Sequence, residues 1–128
     1  MKRKSNFKTS EFKCKCNNCI GMTEIHQLRW ESRLKPILER IRHGLGDEPI
    51  YINSGVRCKA HNKRVGGARN SMHLDGLAAD IRHHSYSTFD LFWHLKENQK
   101  RYHITELIKY NTFVHVGFRI PDDFISRI

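Results

Sequence analysis

Ser71-Met72-His73-Leu74-Asp75-Gly76-Leu77-Ala78-Ala79-Asp80 places a histidine and an aspartate seven positions apart, with a glycine and two alanines between them. A glycine after a histidine lets the chain turn sharply. His73 can then fold back over a strand that carries Asp80. The alanines leave room for close approach. Leu77 to Ile81 reads as that strand, with Ala79 and Ile81 on one face and Ala78 and Asp80 on the other. A carboxylate in so apolar a strand is costly unless it has a partner. Downstream, Phe113-Val114-His115-Val116-Gly117-Phe118 sets another histidine in an apolar, strand-like run. Two histidines and one carboxylate make a typical catalytic zinc shell, with a fourth position open to water or substrate. His73, Asp80 and His115 are the expected ligands.

The surrounding elements follow from periodicity. Ile104 to Tyr110 and Phe113 to Phe118 form a hairpin around Asn111-Thr112. In that register Tyr110 opposes Phe113 and Ile108 opposes His115. Leu107, Val114, Val116 and Phe118 then make the core face. Glu106, Tyr110, His115 and Gly117 make the other. Upstream, Thr23 caps a helix whose stripe runs through Ile25, Leu28, Trp30, Leu34, Ile37, Leu38, Ile41 and Leu45. This stripe is read as core. Pro36 predicts a kink or break near Lys35, and Gly44 and Gly46 end the helix. Pro49 to Asn53 reads as a strand, and Ala60 to Val65 as a short helix. Ser87 to Gln99 is a second amphipathic helix capped by Ser87. Residues 121–128 are expected to form a short helix starting at Pro121.

The chain has 128 residues, which suits one domain with one core. Hydrophobic residues make up 38%, too many for a disordered chain. Residues 1–10 read as a flexible basic arm, and 11–128 as a single folded domain. No apolar run is long enough to span a membrane. Met1-Lys2-Arg3-Lys4 has no apolar stretch behind it, so no signal peptide is expected. The net charge of +10 suits polyanionic partners such as nucleic acid, anionic lipid or acidic wall polymers. An ordered basic helix and an aromatic stacking pattern are both missing, which argues against nucleic acid. Cys14, Cys16, Cys19 and Cys58 leave three readings open: a second metal site, one or two disulfides, or free thiols.

The motif S-x-H-x-x-G-x-A-x-D with a late strand histidine resembles the signature of the zinc D-Ala-D-Ala carboxypeptidase family, and every fixed position is met. The resemblance runs from about Phe7 to Phe118. It implies an α+β domain of the hedgehog and DD-peptidase type, a small antiparallel sheet flanked by helices, with one zinc ion on the sheet. It implies hydrolysis of stem-peptide bonds in bacterial peptidoglycan, by a carboxypeptidase or an endopeptidase. The compact form is similar to domains encoded by bacteriophages. That suggests synthesis in the cytoplasm, delivery to the wall, and a role in host lysis or wall penetration. A monomer is expected. Ser54-Gly55-Val56-Arg57 is similar to the family's S-G-Y-R, which implies that Arg57 binds substrate or stabilises an oxyanion. Ala60-His61-Asn62 and Val65-Gly66-Gly67 are similar to its H-N-x-x-V-G-G. Ser71 and His61 are candidate substrate contacts.

Several family branches place the general base three residues before the last histidine, where this chain has Thr112. Glu106, diagonal to His115 in the hairpin, is the expected substitute, with Asp75 second. A non-catalytic zinc module of the same fold, binding a wall or protein ligand, is the alternative.

Overall fold

The structure is a computed structural model that describes residues 6–16 and 18–119. The expected helix over 121–128 lies outside them. The chain is α+β. Four strands, β1 (Ile50–Ser54), β2 (Ala78–His83), β3 (Glu106–Lys109) and β4 (Val114–Gly117), form one antiparallel sheet in the order β1-β2-β4-β3. Helices α1 (Thr9–Phe12), α2 (Glu24–Arg29), α3 (Lys35–Gly44), α4 (Lys59–Arg64) and α5 (Thr88–Glu97) complete the domain.

The hairpin has the register its sequence predicts. Ile108 pairs with His115, and the Tyr110 amide donates to the Phe113 carbonyl at 3.0 Å. Because side chains alternate along a strand, Val114, Val116 and Phe118 fall on the buried face together with Ile50, Ile52, Ala79 and Ile81. Asp80 and His115 pair directly across β2 and β4, on the opposite face. A bulge between Ile52 and Ser54 ends the regular β1 pairing just before the turn to Arg57.

The irregularity expected near Lys35 takes the form of a π turn. The long helix does not break at Pro36. A π turn over Trp30–Leu34 joins α2 to α3, and the Lys35 amide bonds back to the Trp30 carbonyl. The wider turn takes up the defect just ahead of the proline, which cannot donate. Ser32 Oγ also donates to the Leu28 carbonyl at 2.7 Å. One consequence corrects the stripe: Ile25 and Leu28 are exposed, while Trp30, Leu34, Ile37, Leu38, Ile41 and Leu45 are buried. A stripe drawn at 3.6 residues per turn loses phase across a π turn. Helix α5 ends as its cap predicts, with Ser87 Oγ accepting from the Asp90 amide. Leu91 and Leu95 are buried, whereas Phe89 is exposed.

Ordered structure begins earlier than residue 11. Residues 1–5 lie outside the described part, but Phe7 is buried and Asn6 bonds the Glu39 carboxylate through its amide and side chain, both at 2.9 Å. Phe12 stacks on Trp30 with ring centroids 4.6 Å apart. Its carbonyl accepts from the Val56 amide at 2.8 Å. The N-terminal segment is thus packed against the stretch that leads to Arg57. A β-carbon on Gly55 would lie 2.6 Å from the Phe12 carbonyl oxygen, so only glycine permits that approach. Among the described residues, no helix is long and apolar enough to cross a membrane.

Candidate metal centre

Three elements bring the predicted ligands together. Successive turns over 71–77 carry His73, with Gly76 at φ +69° where a side chain would be strained. β2 carries Asp80 and β4 carries His115. All three side chains are buried. His73 Nε2 lies 3.1 Å from Asp80 Oδ1 and 3.2 Å from His115 Nδ1. His115 Nδ1 lies 2.9 Å from Asp80 Oδ1. These edges suit one face of a tetrahedron around zinc, whose ligand–ligand edge is ~3.3 Å for bonds of ~2.0 Å.

The far side of each imidazole decides which nitrogen is free. His73 Nδ1 donates to the Gly55 carbonyl at 2.6 Å, and His115 Nε2 donates to Glu106 Oε1 at 2.5 Å. Carbonyl and carboxylate cannot donate, so the N–H groups point outward. The inward nitrogens then present lone pairs to each other and to Asp80. Three acceptors facing one point need a proton or a cation between them. A metal with outward histidine N–H groups held by a carbonyl and a carboxylate is the usual arrangement of such sites. The residues present therefore fit the ion.

Proton affinities agree. Burial alone would raise the Asp80 carboxyl, but hydrogen bonds from His115 and His73 and their charge hold it well below the usual carboxylate range. Burial alone would lower His115, but its hydrogen bond and attraction to Asp80, and then to Glu106, raise it above its ordinary value. A proton on His115 thus competes with the metal for the same lone pair.

Arg57 supports this centre. Its Nη2 donates to Asp80 Oδ2 at 3.2 Å, which leaves Oδ1 turned to the histidines. Nε donates to Ser54 Oγ at 3.2 Å and Nη1 to Asn62 Oδ1 at 2.9 Å. Asn62 is buried, and its Nδ2 donates to the Ala68 carbonyl at 2.9 Å. Gly67 leaves the space for this pair. The arginine is therefore held through Asn62, which in turn ties down the glycine loop that the sequence singled out. Ser71 Oγ accepts from the His73 amide at 3.2 Å and so shapes the ligand turn.

Asp80 and His115 form the inner wall of a cleft of about 600 Å3, also lined by Arg57, His61, Ser71, His73, Glu106, Ile108, Tyr110 and Arg119. Among the described residues, Asp80 and Glu106 are the carboxylates on its wall. Asp75, the second candidate base, does not line the cleft: it is exposed, and its carbonyl accepts from Arg29 Nη1 at 2.5 Å. Sequence reasoning expected Asn62 to shape the loop leading to Ser71, but missed the carbonyl of Gly55 and the bond from Arg57 to Asn62. A backbone acceptor leaves no mark in residue identity, whereas Asn62 stood in the quoted motif without an assigned partner.

The four cysteines also converge, with their sulfurs within 4.8 Å of one another, and all four are free thiols. No disulfide joins them.

An antiparallel sheet with a buried two-histidine, one-carboxylate centre opening into a cleft has the donor set of a zinc site with an open position. A family described as Peptidase M15 matches residues 5–117, and the chain belongs to that family. It is also similar to the zinc D-Ala-D-Ala carboxypeptidase of Streptomyces albus G, at 50% identity over 44 residues. That match covers 34% of this chain and 17% of the relative.

Proposed function

We propose that this protein is a zinc-dependent peptidase that hydrolyses stem-peptide bonds of bacterial peptidoglycan. The observation that carries the reading is the convergence of His73 Nε2, Asp80 Oδ1 and His115 Nδ1 on the cleft, with both outward imidazole N–H groups anchored. Membership in Peptidase M15 supports the reaction class, and the named activity of the Streptomyces relative supports the substrate class.

Zinc in this site supplies Lewis acidity to water and to the scissile carbonyl. Glu106, 40% exposed on the cleft wall, is the proposed proton acceptor and later the donor to the leaving amine. Its Oε1 also orients His115, so the same side chain fixes a ligand and offers a second oxygen to the cleft. Arg57 fixes Asp80 and lends positive charge where a tetrahedral oxyanion or a substrate carboxylate would sit. Ser71 and His61, on the cleft wall, are proposed substrate contacts. The charge of +10 favours encounter with acidic wall polymers.

Purified peptidoglycan and synthetic stem peptides, incubated with zinc or with chelator and read by mass spectrometry, test the proposal. Release of terminal D-alanine establishes a carboxypeptidase. Shortened or uncrosslinked stems establish an endopeptidase, and a lytic or wall-penetrating role requires that outcome. One observation favours a second reading. Glu106 and Arg57 both engage metal ligands in this structure, as they would in a zinc module that only binds. Zinc-loaded protein that cleaves neither substrate overturns the peptidase reading in favour of the module.

A further inference from the structure

A second constellation of ligating side chains lies outside the cleft. Cys14, Cys16 and Cys19 come from the N-terminal segment after α1, and Cys58 from the turn into α4. Cys16 Sγ lies 3.3 Å from Cys19 Sγ and 3.6 Å from Cys58 Sγ. Zinc held by four sulfurs at ~2.3 Å has S–S edges of ~3.8 Å, so the cluster is close to that size. Pairwise disulfides do not explain a cluster in which Cys16 approaches two sulfurs at once.

The backbone adds an independent sign. Each sulfur accepts one amide: Cys14 from Cys58 N at 3.3 Å, Cys16 from Asn18 N at 3.4 Å, Cys19 from Gly21 N at 3.4 Å, and Cys58 from His61 N at 3.4 Å. A neutral thiol is a weak acceptor, whereas a thiolate accepts strongly. Four amides aimed at four sulfurs therefore anticipate negative charge there. Four such neighbours cannot all ionise without a cation among them. Lys13, Lys15 and Lys59 flank the ligands in sequence and offset the negative charge of a tetrathiolate.

We propose that Cys14, Cys16, Cys19 and Cys58 form a second, structural metal site for a thiophilic divalent cation, zinc above all. Binding replaces each thiol proton with a metal–sulfur bond and releases that proton to solvent, with no oxidant or reductant. Its role is positional. The ion ties the N-terminal segment to the turn that immediately follows Arg57, so it braces the arginine from behind. Already, the Phe12 carbonyl on the Val56 amide and Lys15 Nζ on the Ile52 carbonyl at 3.1 Å draw the two segments together.

The test is metal content and a cobalt spectrum, neither of which depends on peptidase activity. Protein purified with zinc under reducing conditions is expected to hold two zinc ions per chain by elemental analysis. The His73→Ala/His115→Ala variant is expected to keep one. Loaded with cobalt(II), that variant is expected to show the intense near-ultraviolet thiolate-to-cobalt charge-transfer bands of a tetrathiolate. Cys16→Ser/Cys19→Ser is expected to lose those bands while the wild type keeps them. Wild-type cobalt protein without charge-transfer bands, or disulfide-linked peptides in a digest of the zinc-loaded protein, would overturn the proposal. Since the wild type serves for both readouts, a variant that fails to fold does not shelter it.

Discussion

Glu106 tests chemistry at the scale of one side chain. Glu106→Gln keeps a carbonyl oxygen for His115 Nε2 but removes the proposed base. Turnover should fall by about 100-fold or more, the usual yield of a positioned proton acceptor, with zinc content unchanged. Equal activity in the variant would return Glu106 to a purely orienting role. Gly67→Ala tests the strap around Arg57. The new methyl would lie 2.0 Å from Asn62 Oδ1 and 2.6 Å from Arg57 Nη1. Displacing that pair should cost roughly 1–3 kcal/mol of stability and reduce activity, measured by urea unfolding and peptide cleavage. Wild-type stability and turnover would show that the loop absorbs the methyl without moving the arginine. His83 gives a pH signature away from the cleft. It is buried, and its Nδ1 accepts from the Ser85 and Tyr86 amides, both at 3.0 Å. Burial lowers its proton affinity. The unfolded chain therefore binds more protons in the window just below ~6.5, so stability falls as pH drops through it. NMR titration should place His83 below the ordinary histidine value, and His83→Gln should flatten the loss. A titration at or above that value would contradict the burial argument.

Elements show why some of this was legible in the sequence and some was not. The hairpin register was readable because strict alternation fixes which residues share a face, and a one-residue slip would have turned His115 into the core and Val114 and Val116 out of it. The candidate ligand set was readable because the Ser71 to Asp80 stretch and the late His115 match the family signature, and a carboxylate between Ala79 and Ile81 demands a partner. The π turn was not. A proline signals a defect, but whether the helix breaks, kinks or widens depends on what packs around it. Here Trp30 and Leu34 are both fully buried at the ends of the turn, and Trp30 stacks on Phe12. The packing of Phe7 and Phe12 was not legible for the same reason: they lie among charged residues, and only their tertiary partners reveal them as core. If Trp30 anchors both the π turn and that segment, Trp30→Ala should cost ~3–5 kcal/mol, the range for a buried aromatic truncation. Urea unfolding measures it. A loss under ~1 kcal/mol would mean that α1 and the π turn hold without the stack.

At the scale of the whole molecule, a metal held by His73, Asp80 and His115 would also be a staple. His73 stands on the turns before β2, Asp80 on β2 and His115 on β4, so one ion would join three segments of the sheet face. Binding to the folded chain alone raises stability by ~4 kcal/mol when free zinc is a thousandfold above its dissociation constant. Scanning calorimetry with and without zinc should show a matching rise in unfolding temperature. The His73→Ala/His115→Ala variant should lose this site's share while keeping whatever the cysteines contribute. The gain should shrink in acid, with a sign that follows from His115. Asp80 and Glu106 raise its proton affinity, so the proton competes with the metal from a higher pH than an ordinary histidine would allow. Zinc affinity should therefore weaken as pH falls through the His115 value. Asp80, held low by its partners, stays ionised throughout that range and contributes no further slope. Isothermal titration across pH would show the affinity weakening as His115 takes up its proton. A flat profile would mean that the metal is held by other groups, and that the three converging acceptors are not its site.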